Sequence, residues 1–189
     1  MATAVTEVSA VHGEVEIRPV GAADAALIAA HFARHRAESG RGEWHFMPFA
    51  PDDPAGPGGL DPGRLALPLN SPGWQRWFAA FADGGTRIVG HVDVKGEALR
   101  AASHRCEVGI GIERLHRGRG LGRRLMHEAI GFARRADCIA WLDLKVFAHN
   151  TPARDLYRSL GFQEIGTVAD RFRIEGTSID DVIMTLHVA

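Results

Sequence analysis

Residues 116–126 read HRGRGLGRRLM, so that Gly118, Gly120 and Gly122 stand among Arg117, Arg119, Arg123 and Arg124, immediately ahead of a helical apolar pattern. A helix N-terminus presents unpaired N–H groups and about half a positive charge, so cations gathered there repel one another unless an anion joins them. Glycines remove the side chains that would block a close approach, and backbone donors can then surround a phosphate. The chemistry this suggests is a pyrophosphate cradle. The plainer reading is a helix start in a chain that favours arginine, which supplies 20 of its 22 basic residues. A Walker loop needs Gly-Lys followed by Ser or Thr, which is absent, and the dinucleotide fingerprint GxGxxG is not met by the GxGxG of residues 118–122.

Other reactive types are scattered. Tyr157 shares the apolar face of its segment with Ala153, Leu156 and Leu160, as a core tyrosine would, yet its hydroxyl needs a partner. Cys106 has only His104 nearby, which builds no oriented nucleophile pair, and with Cys138 it suggests small core residues in a reducing compartment rather than a disulfide framework. The ten histidines show no metal-ligand spacing.

The elements that must position these groups follow from periodicity. Residues 14–20 alternate as a strand and 21–39 carry Leu27, Ile28, His31, Phe32 and His35 at helical spacing. From 40 to 72 proline and glycine break both patterns, and Trp44, His45, Phe46, Met47 and Phe49 form an aromatic cluster that either lines a pocket or plugs the loop onto the sheet. Strands are expected at 74–81 and 87–94, joined by a turn in which Gly84 and Gly85 take positive φ. A strand at 105–113, an amphipathic helix after Gly120, a buried-type strand at 139–147 and a short helix at 151–161 follow, with Thr151 as its N-cap and Gly161 closing it. Two strands, 162–174 and 179–188, end the chain. Strands joined by helices in the second half imply a parallel pair within a mixed, mostly antiparallel α/β (α+β) sheet of about six to seven strands flanked by helices.

The 189 residues, 46% hydrophobic with net charge −1, fit one domain over 14–189 after a flexible stretch at 1–13. This near-neutral balance argues against a generally basic nucleic-acid binder, although the arginines at 114–124 raise that alternative locally. No signal peptide or membrane span is read from the sequence, and a cytoplasmic location is expected.

The run from Arg117 to Gly122 resembles the (Gln/Arg)-x-x-Gly-x-(Gly/Ala) signature of the GCN5-related N-acetyltransferases (GNAT superfamily). NTPARDLYRSLGF at 150–162 is similar to the second motif of that superfamily, in the expected order and separation. The resemblance covers roughly residues 86–188. It implies the acyl-CoA N-acyltransferase fold, acetyl-CoA as co-substrate and no metal. The implied cofactor contacts are Arg117, Gly118, Arg119, Gly120, Leu121, Gly122 and Arg123 at the pyrophosphate, the backbone of Ile110, Gly111 and Ile112 along the pantetheine arm, and Asn150, Ala153 and Tyr157. Tyr157 would act as the acid for the departing thiolate. The acceptor must attack as a neutral amine, so a base is needed; Glu107 comes first, its proton affinity raised by partial burial, then Asp143, with His104, His45 and His149 behind. Pairing of Glu107 with an arginine such as Arg105 is the structural alternative. The expected acceptor is a primary amine on a small molecule, an amino acid before an aminoglycoside or polyamine. The alternatives are a protein N-terminal amine and a non-catalytic module that binds a coenzyme A ester. A homodimer is compatible with the sequence.

Overall fold

The computed structural model describes residues 15–41, 45–50 and 59–189; the proposed flexible 1–13 stretch and Trp44 lie outside them. Seven strands form one sheet: β1 (Glu16–Pro19), β2 (Gln75–Ala82), β3 (Arg87–Gly96), β4 (Arg105–Ile112), β5 (Trp141–Phe147), β6 (Gln163–Ile174) and β7 (Thr177–His187). Their spatial order is β1-β2-β3-β4-β5-β7-β6, antiparallel throughout except for β4 and β5. The β2–β3 turn is tight because Asp83, Gly84 and Gly85 all take positive φ, as its glycines led us to expect for two of them.

The helix α1 (Ala25–Glu38) covers one face of the sheet; α3 (Leu121–Arg134) and α4 (Thr151–Ser159) cover the other. Alternation along each strand sorts the two cores. Val92 and Val94 of β3 and Leu142, Leu144 and Val146 of β5 meet Leu125, Met126, Ala129 and Ala133 of α3 in a continuous apolar layer. Leu125 and Met126 are fully buried, each stabilising the fold by about 1.5–3 kcal/mol. On the α1 side Ile28 packs with Trp77, Ala79, Phe81 and Ile88.

Two sequence expectations change. Within the proline- and glycine-rich stretch a short helix, α2 (Pro62–Ala66), forms because the Asp61 side chain accepts a hydrogen bond from the Gly63 N–H at 2.9 Å and Pro62 starts the turn. At α4 the cap is Asn150, whose side-chain oxygen accepts from the Ala153 N–H at 3.3 Å, and Thr151 is already helical.

The parallel pair is short. Arg105, Cys106 and Glu107 pair with Trp141, Leu142 and Asp143; beyond them β5 follows β7 for the rest of its length, and residues 108–112 keep β3 as their only strand neighbour.

The α1 face also buries charge. Glu113, at the end of β4, accepts from Arg34 Nε (2.9 Å) and Arg87 (2.7 Å) and lies 3.0 Å from His31 Nδ1; His31 Nε2 lies 2.9 Å from His91 Nδ1. A Cβ at Gly111 would stand 2.6 Å from the His91 ring and 2.8 Å from His35 Nε2, so only glycine lets these imidazoles approach β4. Burial, reinforced by His31 and Arg117, pushes the His35 imidazole down to about 3. Because an unfolded histidine titrates near 6.5, the unfolded chain takes up this proton first, and the stability tied to neutral His35 is present above that pH and is lost as pH falls from 6.5 towards 3. Replacing His35 by Asn should therefore flatten the acid decline in stability by up to about 1.4 kcal/mol per pH unit. Denaturant titrations of both proteins from pH 7.5 to 5 test this; parallel stability curves would contradict it.

Candidate active site

Where β4 and β5 part, a cleft of about 640 Å³ opens, lined by 108–112 of β4, the start of α3, Lys145 to Phe147 of β5 and the first turns of α4. The Glu113 N–H donates to the Val89 carbonyl at 3.0 Å, which fixes the alternation of β4: odd residues bond to β3, while the N–H and C=O groups of Val108, Ile110 and Ile112 face the gap. The Ile112 carbonyl is already used by Arg117 Nε at 2.8 Å. Gly111 directs its backbone to β3, so its contribution is the missing side chain rather than a backbone contact. Backbone polar groups along a half-buried edge call for a partner, and an extended ligand carrying amides matches their spacing.

At the head of the cleft, α3 starts from Gly120 in the left-handed conformation (φ +77°), with Gly118 at φ +72°; no side chain caps the helix. No protein atom lies within 4 Å of where a Cβ would stand at either position, so within the protein these glycines are required by the positive φ of the turn. Gly122 is different: a Cβ there would come 3.1 Å from Leu156 and 3.3 Å from Ile112, and its absence lets α3 seat against α4 and β4. Consecutive unpaired N–H groups on such a turn form an anion nest. Leu121 is buried and can offer only its backbone, Arg119 is exposed outside the cleft lining, and Arg123 lines the cleft while donating to Ser159 Oγ at 2.8 Å. The Arg117 guanidinium bonds to Ile112 O and Glu38 (3.1 Å) and lies 4.6 Å from the Phe46 ring centroid, clamping the nest to α1.

Asn150, Ala153 and Tyr157 all line the cleft from α4. Tyr157 is buried, its hydroxyl makes no hydrogen bond among the described residues, and burial raises its pKa, so it remains a phenol throughout the neutral range. Cys106 is fully buried and its thiol is pushed up to about 12 by that burial, which leaves no thiolate for nucleophilic attack at neutral pH.

The opposite wall holds the charged groups. Glu107 lines the cleft half-buried, its side chain 46% exposed, and it is held by Lys145 Nζ at 2.6 Å and not by the alternative partner Arg105. Arg105 instead grips Asp143 through two bonds (2.7 and 2.5 Å), and Asp143 also accepts from Thr185 Oγ1 at 2.7 Å. His104 is exposed before β4, outside the cleft lining. Residues 45–50 cross the mouth as a strap. Ser39 Oγ accepts from the Phe46 and Met47 N–H groups (3.1 and 3.3 Å), His149 Nε2 donates to the His45 carbonyl (2.7 Å), and His45 Nε2 lies 3.4 Å from Glu175. Phe46 and Pro48 reach the cleft; the Phe46 ring lies over His35 at 4.8 Å.

Three titratable residues of the cleft escaped the sequence reading of the site: His35, Lys145 and Asp181. The one available signal for Asp181 was its register, opposite in phase to the apolar Val182, Met184 and Leu186. Among the described residues no cluster of three His, Cys, Asp or Glu could hold a metal, and no helix is long and apolar enough to cross a membrane.

Residues 43–162 match the model of the acetyltransferase (GNAT) family. The chain is similar to the N-alpha-acetyltransferase RimI of Mycobacterium tuberculosis, 33% identical over 129 residues that cover 68% of this chain and 73% of that protein. Its fold is similar to the GNAT-family acetyltransferase of Streptococcus pneumoniae (TM-score 0.78, 24% identity, 93% of this chain and all of that one). It is also similar to yncA of Salmonella typhimurium, a structure with its cofactor acetyl-CoA (TM-score 0.71, 20% identity, 93% and 95% covered).

Because Gly120 is required by its φ and not by space, Gly120→Ala should cost about 1–2 kcal/mol of backbone strain where the anion would sit. Calorimetric titration should show coenzyme A binding weakened by about tenfold, corresponding to that strain, while 3′-dephospho and full-length coenzyme A lose equally. Unchanged affinity would show that the nest does not hold the pyrophosphate.

Proposed function

Since this chain belongs to the acetyltransferase (GNAT) family and is an acetyl-CoA-dependent N-acetyltransferase, we propose that it delivers the acetyl group directly to a primary amine of a small molecule, an amino acid or a similar amine. The observation that carries this reading is the strap. It is pinned at Ser39, His149 and Glu175 and sets Phe46 and Pro48 against the acceptor end of the cleft, an apolar wall that favours a compact acceptor.

The residues present fit the co-substrate on their own chemistry. The glycine turn offers N–H groups to a diphosphate, the gap-facing atoms of Val108 and Ile110 can pair with amides, and the unbonded Tyr157 hydroxyl meets a sulfur. Acetyl-CoA supplies an acyl group already activated as a thioester. The Ile110 N–H, held rigid by the ladder to β3, can donate to the carbonyl oxygen as negative charge grows there, a contribution of several kcal/mol when preorganised. Tyr157 donates a hydrogen bond to the departing sulfur. With its pKa raised by burial, full proton transfer from the phenol to a thiolate, the weaker base, is uphill, so it stabilises the leaving group chiefly by that bond and relays a proton as the amine releases one. Glu107 and its partner Lys145 set the charge at the acceptor end.

The identity with RimI favours a second reading, in which the acceptor is a protein N-terminal amine. The two separate in a panel of amino acids, small amines and peptides assayed for acetyl-CoA turnover. We expect kcat/KM at least tenfold higher on a small amine; turnover confined to peptides would reject the first reading. In the same assay Tyr157→Phe should lower kcat by on the order of 10²-fold with coenzyme A affinity unchanged. Equal losses in both would overturn the role of the hydroxyl.

A further inference from the structure

The acceptor wall contains one group that the account above leaves unused. Asp181 of β7 is only 3% exposed, lines the cleft, and has no hydrogen bond or ion pair among the described residues. A carboxylate with so little exposed surface, whose oxygens open onto the cleft without a protein partner, is suited to a ligand that completes it. It stands opposite Phe147 in the sheet register, on the same face as Lys145, and Phe172 lines the same chamber. Burial raises its proton affinity, Lys145 and Arg171 oppose that, and Glu107 adds to it.

Resting on the acyl-transfer reading of the cleft, we infer that Asp181 seats the ammonium of the acceptor and removes its first proton, and that Glu107 is a positioning residue that keeps Lys145 from neutralising Asp181. Lys145 lines the same cleft and is the foremost cation acting on Asp181, and Glu107 holds its Nζ at 2.6 Å. Removing that hold would free a long, mobile ammonium to occupy the seat. The step balances simply. The ammonium gives one proton to Asp181, which returns it to solvent; the freed nitrogen lone pair forms the C–N bond; the C–S bond breaks; and the second amine proton ends on the sulfur as the thiol, by way of Tyr157. No oxidant or further co-reactant is needed.

The test uses the full chain, acetyl-CoA and whichever amine the wild-type protein acetylates best. Asp181→Asn removes an unpaired charge at the cleft wall without changing shape, so its melting temperature should equal or exceed that of the wild type and its affinity for coenzyme A should be unchanged, while kcat/KM for the amine falls at least 100-fold. Glu107→Gln should raise the acceptor KM about tenfold, and Glu107→Gln with Lys145→Met should recover most of that loss, which a merely structural Glu107 would not allow. Wild-type kcat/KM in Asp181→Asn, or no recovery in the double variant, would overturn the inference while leaving the acyl-transfer reading intact. That reading fails separately, if the wild-type protein acetylates no amine at all.

Discussion

The parting of two parallel strands after three residue pairs is the constraint on which the rest of the site depends. A parallel ladder between β4 and β5 continued to Ile112 would satisfy the backbone of Val108 and Ile110 and fill the cleft with sheet. Instead β5 is drawn away by seven paired positions with β7, and β4 is held flat by β3. Two antiparallel partnerships, each longer than the parallel one, pull the strands apart, and the apolar layer beneath them, anchored by α3, keeps the opening from closing.

The two faces of the sheet then do different work. Beneath, α3 and α4 bring backbone donors and the Tyr157 hydroxyl to the gap, and the small size of Gly122 sets how closely they approach. Above, α1 and the strap bring imidazoles, aromatic rings and carboxylates. Glycine at 111 separates these roles at one residue: it admits the His35 and His91 rings on the α1 side while its own backbone stays in the ladder. Glu113, with three charged or polar partners, ties α1 to the end of β4 just before the glycine turn, so the nest, the helix and the strap form one mechanically connected rim.

The sequence was legible where local chemistry decided structure. The positive-φ turn at Gly84 and Gly85, the parallel pair in the second half, the strand boundaries near β4 and β5 and the helix after Gly120 all follow from periodicity and turn residues, and the two motifs identified the family. What escaped notice depended on tertiary neighbours. Asp61 caps a helix inside a stretch whose prolines and glycines read as irregular. Gly118 and Gly120 serve φ while Gly122 serves packing, a distinction invisible in the pattern itself. Glu107 reads as a carboxylate beside the reaction centre, and only the fold places Lys145 from β5 against it. Asp181 lies 74 residues beyond Glu107 in a strand that reads simply as an edge of the core, and no spacing links the two.

The central claim is that the gap-facing edge of β4 and the glycine turn together receive the coenzyme. Amide hydrogen exchange with and without coenzyme A measures this directly, residue by residue. The account requires new protection at the Ile110 N–H and across 118–123, with the odd-numbered amides of β4 unchanged because β3 already holds them. Binding that protects amides elsewhere, or that leaves Ile110 and the turn exchanging as before, would contradict it.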